Sequence, residues 1–257
     1  MTVHFVGAGP GAADLITLRA AALLAAADVV LYPGTYLDAA VLEHCRAGVR
    51  LVDTQHLDLD RITAAVVEEH AAGQEVVRLT SGDPSLYSAL TEQTRRLDAA
   101  GVPWDVTPGV PAYAAAAAAV GRELTVPEVA QTVVLTRTQA RSTAMPSSES
   151  LEAYAATGAT LAIHLAITRT AELMARVEPH LGADCPVVVV YRASQPEQVV
   201  LRGTVATIGD QVEQAGLRQA AVVLVGRALG QDPLLVESHL YSAGRTRPTD
   251  TAQPPHR

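Results

Sequence analysis

Leu79-Thr80-Ser81-Gly82-Asp83-Pro84-Ser85-Leu86-Tyr87 joins two different hydrophobic periodicities. Before it, Glu75 to Leu79 is a short, largely apolar run that reads as a β-strand. After it, Tyr87 to Asp98 carries apolar residues at helical spacing, with Leu86, Leu90 and Leu97 among them. The turn is therefore the step from a strand's C-terminal end to a helix, which is where open α/β sheets bind ligands. Gly82 lets a ligand approach the backbone closely. Pro84 is tolerated near a helix start, where its missing N–H costs little. Asp83, the one charge in the turn, either caps the helix or belongs to a ligand site.

The flanking chain repeats this pattern. Val3 to Val6 reads as the first strand, Gly7-Ala8-Gly9-Pro10-Gly11 as its turn, and about Thr17 to Ala27 as a helix. Asp28 to Tyr32 reads as a strand ending in Tyr32-Pro33-Gly34-Thr35-Tyr36. A helix over about Leu37 to Cys45, a strand over Arg50 to Val52 and a helix over about Asp60 to Ala72 lead to the central turn. Beyond it, Pro103 to Val106 reads as a strand, Thr107-Pro108-Gly109-Val110-Pro111-Ala112 as a turn, and Tyr113 to Val120 as an Ala-rich helix. Strands alternating with helices indicate a parallel α/β sheet. Gly-x-Gly after a first strand invites a dinucleotide-binding reading. Pro10, the delayed helix and the lack of an acidic residue after the second strand argue against it.

Gly121 to Ala130 reads as a linker, after which the pattern changes. Strands are expected at Thr132 to Thr136, Ala159 to His164, Val187 to Tyr191, Gln198 to Thr204 and Ala221 to Val225. Helices are expected between the first two of these strands, over Thr168 to Val177 and over about Val205 to Ala215. Some neighbouring strands lack an intervening helix, so this half should hold a mixed sheet. The expected organisation is an N-terminal α/β domain over 1–120, a C-terminal α/β domain over 131–241 and a disordered tail over 242–257, which lacks apolar periodicity.

Composition bounds the function. The chain has 257 residues, 49% of them hydrophobic, which suits a globular protein with one or two cores. No apolar run reaches the roughly 18 residues that a membrane span needs, and the N-terminus lacks a basic leader. Cys45 and Cys185 lack metal spacing, so a reducing cytoplasm and no metal site are expected. A formal charge of −8 argues against a nucleic-acid partner. All 19 basic residues are Arg, and Lys and Asn are absent, as a GC-rich coding sequence would give. Individual arginines are argued by position.

Gly7-x-Gly-Pro-Gly-x-x-Asp14, Ser81-Gly-Asp-Pro84 and Thr107-Pro-Gly-Val110, in this order and at these separations, resemble the tetrapyrrole (corrin/porphyrin) methylases. The resemblance covers about residues 1–240. It implies two α/β domains of class III methyltransferase type, S-adenosylmethionine in the cleft between them, and a homodimer. Tyr32-x-Gly34, Leu135-Thr136-Arg137, Arg141-Ser-Thr143, Pro146, Glu149 and Leu151 resemble the branch that methylates cobalamin precursors. Ser142 interrupts that branch's Arg-Thr pair, and Pro33 replaces the Asp of the uroporphyrinogen branch.

By this resemblance the cofactor contacts fall at Pro10, Ser81, Gly82, Asp83, Tyr87, Pro111, Ala112, Leu165, Ala193 and Ala221, mostly through backbone or apolar atoms. The tetrapyrrole substrate falls at Arg137, Arg141, Tyr32, Gly34 and Thr35. Arginines on an acidic chain suit a substrate with several carboxylates, because the guanidinium fork binds them in pairs. Arg122, Arg169 and Arg192 follow with less support. No catalytic base is identified; Asp83 and Tyr87 are candidates for positioning, and His164 reads as structural. Another corrin-precursor methylase (with or without cobalt in the ring), a protein-directed methylase of the same fold, and a non-catalytic binder of S-adenosylmethionine or a tetrapyrrole are the competing readings.

Overall fold

The computed structural model describes residues 1–34, 37–138, 144–230 and Ser238. Ten strands form two five-stranded sheets. The first contains β1 (Val3–Gly7), β2 (Val29–Tyr32), β3 (Arg50–Asp53), β4 (Val76–Thr80) and β5 (Trp104–Thr107), in the order β3-β2-β4-β1-β5. All its pairings are parallel. β1 and β4 are buried along almost their whole length, as a strand covered on both faces requires.

Helices α1 (Leu18–Ala26), α2 (Leu59–Ala71) and α3 (Leu90–Ala99) belong to this half. Thr17 and Asp58 cap the first two by accepting the N–H groups of Ala20 and Arg61. The residues expected to form a helix after Tyr32 instead make a 3-10 helix over Ala39–His44, where Asp38 holds the N–H of Ala40 in a tight local turn.

α4 (Ala112–Val120) follows β5 but packs on the second sheet. Ala115, Ala116 and Val120 share a buried cluster with Ala162, Val188, Val190, Val222 and Leu224. Alanine suits the position twice, as the best helix former and as a side chain that lets helix and sheet approach closely.

The second sheet contains β6 (Val133–Arg137), β7 (Thr160–His164), β8 (Pro186–Tyr191), β9 (Val199–Thr204) and β10 (Ala221–Val225), in the order β6-β7-β10-β8-β9. Only β6 and β7 pair in parallel, so the sheet is mixed, as its short connections indicate. Its other face is covered by α5 (Leu151–Ala155), α6 (Thr170–Leu181) and α7 (Ile208–Gln214). α6 runs four residues past its expected end although Pro179 lies inside it, because Leu173, Met174, Val177 and Leu181 keep its buried stripe continuous. It starts after a 3-10 turn over Ile167–Arg169. α7 starts later than expected because the Thr207 hydroxyl accepts the Thr204 N–H and holds that stretch in a turn. The tail over 242–257 lies outside the described residues.

Candidate active site

The central turn departs from its expected form. α3 begins at Leu90, not Tyr87, because Tyr87 and Ala89 both take φ of 55°. No helix can pass through left-handed residues. Asp83 therefore caps no helix. Its carboxylate accepts the backbone N–H and hydroxyl of Ser85, and its other oxygen accepts the Gly109 N–H at 2.8 Å. Burial alone would raise its pKa, but these donors outweigh burial and hold the carboxyl below its usual range. Asp83 thus ties the turn after β4 to the turn after β5.

The three glycine turns form one backbone knot at the C-terminal ends of β1, β4 and β5. Gly9 and Gly82 exchange backbone hydrogen bonds at 3.2 and 2.7 Å. A Cβ on Gly109 would lie 2.2 Å from the Gly82 carbonyl oxygen, and one on Gly7 would lie 2.5 Å from the Gly109 nitrogen. Gly82 differs from both. Its φ is +70°, and a Cβ there would lie 3.8 Å from the Ala112 nitrogen and 3.9 Å from the Pro111 Cα. A Cβ there would make ordinary van der Waals contact with the start of α4 and no clash.

The second half meets this knot at the ends of its own strands. The Ala12 N–H donates to Ser194 Oγ at 3.0 Å, and Gln195 donates to the Pro10 carbonyl at 3.4 Å. Tyr87 packs on His164 with ring centroids 5.5 Å apart, and Tyr113 of α4 lies 6.5 Å from the same ring. Leu165 follows His164, Ala193 precedes Ser194, and Ala221 pairs with Tyr191 at the end of β8. The turn after β1 thus meets the turn after β8, 182 to 185 residues further along the chain. Ala193 itself is buried in the second core, which leaves only its backbone for a ligand. Leu165 is 64% exposed at φ 54°, a strained and accessible turn.

Arg137 ends β6 directly opposite His164 in parallel register. It lines a cavity of about 670 Å³ together with Thr136, Thr138, Glu149, Arg169 and Arg176. Arg176 holds Glu152 through two hydrogen bonds of 2.7 and 2.9 Å, and Arg169 holds Glu172 through two of 2.8 and 2.5 Å. Burial raises the Tyr87 pKa; Arg137 opposes that shift, while Glu149 and Tyr154 add to it. Tyr87 therefore lies within electrostatic reach of Arg137 and Glu149, which line the cavity. Tyr32 and Gly34 lie at the end of β2, beside β4 in the sheet and backed by Thr54, Asp53 and Gln55. Thr35 and Arg141 lie outside the described residues.

Two features escaped the sequence. Arg78 stands inside β4 at 7% exposure, where its guanidinium donates to Gln93, Thr54 and the carbonyls of Leu31 and Leu79. Burial lowers its pKa to about 10. The only trace was a charge in an otherwise apolar strand. The Tyr87–His164–Tyr113 cluster left no trace, since it joins three distant segments.

The tetrapyrrole (corrin/porphyrin) methylase profile matches residues 2–209. The chain is 52% identical to the precorrin-4 C(11)-methyltransferase of Rhodococcus erythropolis, across 97% of this chain and 100% of that one. A crystal structure of the cobalamin biosynthetic enzyme cobalt precorrin-4 methyltransferase, CbiF, superimposes with a TM-score of 0.86 at 37% identity, covering 90% of this chain and 96% of that one. The uroporphyrin-III C-methyl transferase of Thermus thermophilus complexed with S-adenyl homocysteine gives 0.73 at 26%, covering 89% and 93%. From glycine knot to mixed sheet, this chain belongs to the tetrapyrrole (corrin/porphyrin) methylases.

Proposed function

We propose that this chain is an S-adenosylmethionine-dependent C-methyltransferase of cobalamin biosynthesis, which methylates carbon 11 of precorrin-4 to give precorrin-5. One observation carries the reading: Arg137 lines a cavity of about 670 Å³ at the end of β6 and stands in register with His164, against which Tyr87 of the turn after β4 packs. A donor site that needs only small residues and backbone thus adjoins an acceptor site that suits carboxylates. The full-length similarity to precorrin-4 C(11)-methyltransferases supports this choice of acceptor, and the lower identity to the cobalt precorrin-4 enzyme favours a cobalt-free ring.

The donor is proposed to contact Pro10, Ser81, Gly82, Asp83, Tyr87, Pro111, Ala112, Leu165, Ala193 and Ala221; the approach of the Pro111–Ala112 backbone to Gly82 and the bond between Asp83 and Gly109 support its first-half side. When bound, S-adenosylmethionine supplies an electrophilic methyl group on a sulfonium centre. The protein aligns the two reactants, which is worth up to about 7–11 kcal/mol in favourable cases. Arg137 and Arg141 are proposed to receive acceptor carboxylates, and Tyr32, Gly34 and Thr35 to contact the same substrate. We also propose a cytoplasmic homodimer, with domain bounds at 1–120 and 131–241. No helix among the described residues is long and apolar enough to cross a membrane.

The test is mass spectrometry of the purified enzyme with S-adenosylmethionine and candidate precorrins. Precorrin-4 should gain one methyl group; transfer to a different precorrin instead would refute the assignment. Arg137→Ala should weaken acceptor binding about tenfold to a hundredfold, the worth of one charge-assisted hydrogen bond. It should leave calorimetric affinity for S-adenosylhomocysteine intact. The opposite pattern would mean that the two sides of the cleft are exchanged.

A further inference from the structure

His164 closes β7, and its Nε2 is buried without a hydrogen-bond partner. An unsatisfied buried polar group costs about 1–3 kcal/mol, so it calls for a reason. Packing supplies none, because Leu161, Ala162 and Ile163 fill the rest of the strand's interior and an apolar side chain would complete it. Position does supply one. Arg137, on the acceptor side, stands opposite His164 in register, and Leu165, on the donor side, is the next residue. On the site assignment proposed above, the imidazole stands between the acceptor side and the donor side.

We propose that His164 Nε2 receives the proton that the acceptor ring releases when its carbon is methylated. This rests on the methyltransferase reading above. The methyl group leaves sulfur without the bonding pair, which stays on sulfur as the S–C bond breaks. An enamine-type double bond of the ring provides the pair for the new C–C bond, and positive charge passes to the ring nitrogen. Loss of the N–H proton to His164 returns the ring to its former charge, and the imidazole becomes imidazolium. No oxidant or reductant is needed.

Burial lowers the His164 pKa, so the ring is neutral near pH 7 and can present a lone pair. The titratable and charged groups facing it are Tyr87 from the turn after β4, Tyr113 from α4 and Arg137 from β6. Glu149 and Tyr154 in turn raise the Tyr87 pKa through their charges. The adjoining strand β10 is apolar throughout, from Ala221 to Val225. Of the two rings packed on His164, Tyr87 is half-exposed.

The test compares His164→Gln, which keeps a hydrogen-bonding group but cannot carry the proton, with the wild-type enzyme. Single methylation of precorrin-4 by the wild type upholds the underlying reading; its absence sinks that reading and this proposal together. Given that activity, His164→Gln should lower kcat about 10²–10⁴-fold, the usual weight of general base catalysis. It should also remove the acid limb of the kcat/KM pH profile and leave calorimetric S-adenosylhomocysteine affinity unchanged. Unchanged kcat and pH profile would overturn the proposal alone, as would a loss of S-adenosylhomocysteine binding that matches the loss of activity. Should the variant not fold, ¹⁵N-histidine spectra of the wild type decide. The His164 ring must be neutral near pH 7 with S-adenosylhomocysteine bound, and its Nε2 resonance must move when precorrin-4 is added. A cationic ring or an unmoved resonance refutes the assignment.

Discussion

Gly109→Ala and Gly82→Ala add the same methyl group to neighbouring turns, yet the structure assigns them different consequences. At Gly109 the new Cβ would lie 2.2 Å from the Gly82 carbonyl oxygen and 2.9 Å from the Gly7 Cα and carbonyl carbon, all rigid backbone. Ordinary contact begins at 3.4 Å, so the turns must part by about 1.2 Å. The 2.8 Å bond from Gly109 to Asp83 would then stretch to about 4 Å and be lost. Overpacking costs about 1–3 kcal/mol and each lost hydrogen bond about 0.5–1.5 kcal/mol, so about 3 kcal/mol is expected in total. For a chain of this size that lowers Tm by about 6–12 °C.

At Gly82 the added Cβ meets nothing closer than 3.8 Å, and the cost is only that of a left-handed residue, about 1–2 kcal/mol. The binding consequences run the other way. The Gly82 methyl group enters the gap facing Pro111 and Ala112, so Gly82→Ala should lose S-adenosylhomocysteine affinity more than Gly109→Ala loses per unit of stability. A valine at Gly82 is the poorer probe, since a β-branched residue at φ +70° mixes folding with binding. Scanning calorimetry and titration calorimetry on both variants decide the matter. A Gly109→Ala protein that melts as high as Gly82→Ala would refute the backbone knot.

Arg78→Met should destabilise the fold by about 1–3 kcal/mol in urea unfolding, because Gln93 Oε1, on a residue 2% exposed, loses its donor. Unchanged stability would mean that relief from burying a charge offsets the lost bonds in full. The hydrogen bonds from Arg176 hold the Glu152 carboxyl down to about 2, against an ordinary 4.5. The folded pKa is the depressed one, so the pair stabilises above pH 4.5 and that stabilisation is lost as pH falls towards 2. Side-chain exposures of 36% and 39% keep the gain below about 1 kcal/mol. Glu152→Gln should flatten the stability profile across this window, and an unaltered acid limb would contradict the pairing.

The fold class was legible in the chain itself, as were the glycine- and proline-rich turns that end β1, β4 and β5. Strand and helix periodicities are local, and so are the Gly and Pro signals that end each strand; both survive in a linear reading. The mixed second sheet was legible for the same reason, since its strands β8 and β9 follow one another without a helix. Tertiary structure decided what local signals could not carry. Asp83 looked like a helix cap because a capping residue and a turn-to-turn tie share one local spelling; only the approach of Gly109, 26 residues on, tells them apart. The late start of α3 follows from left-handed backbone at Tyr87 and Ala89, which side-chain periodicity does not encode. α4 was legible as a helix but not as a cover for the second sheet, because an alanine-rich surface has no marked apolar face. His164 read as structural until Tyr87, Tyr113 and Arg137 stood around it. Side chains so far apart in sequence become neighbours only through burial of the two cores, and a polar atom's missing partner exists only once those neighbours are in place.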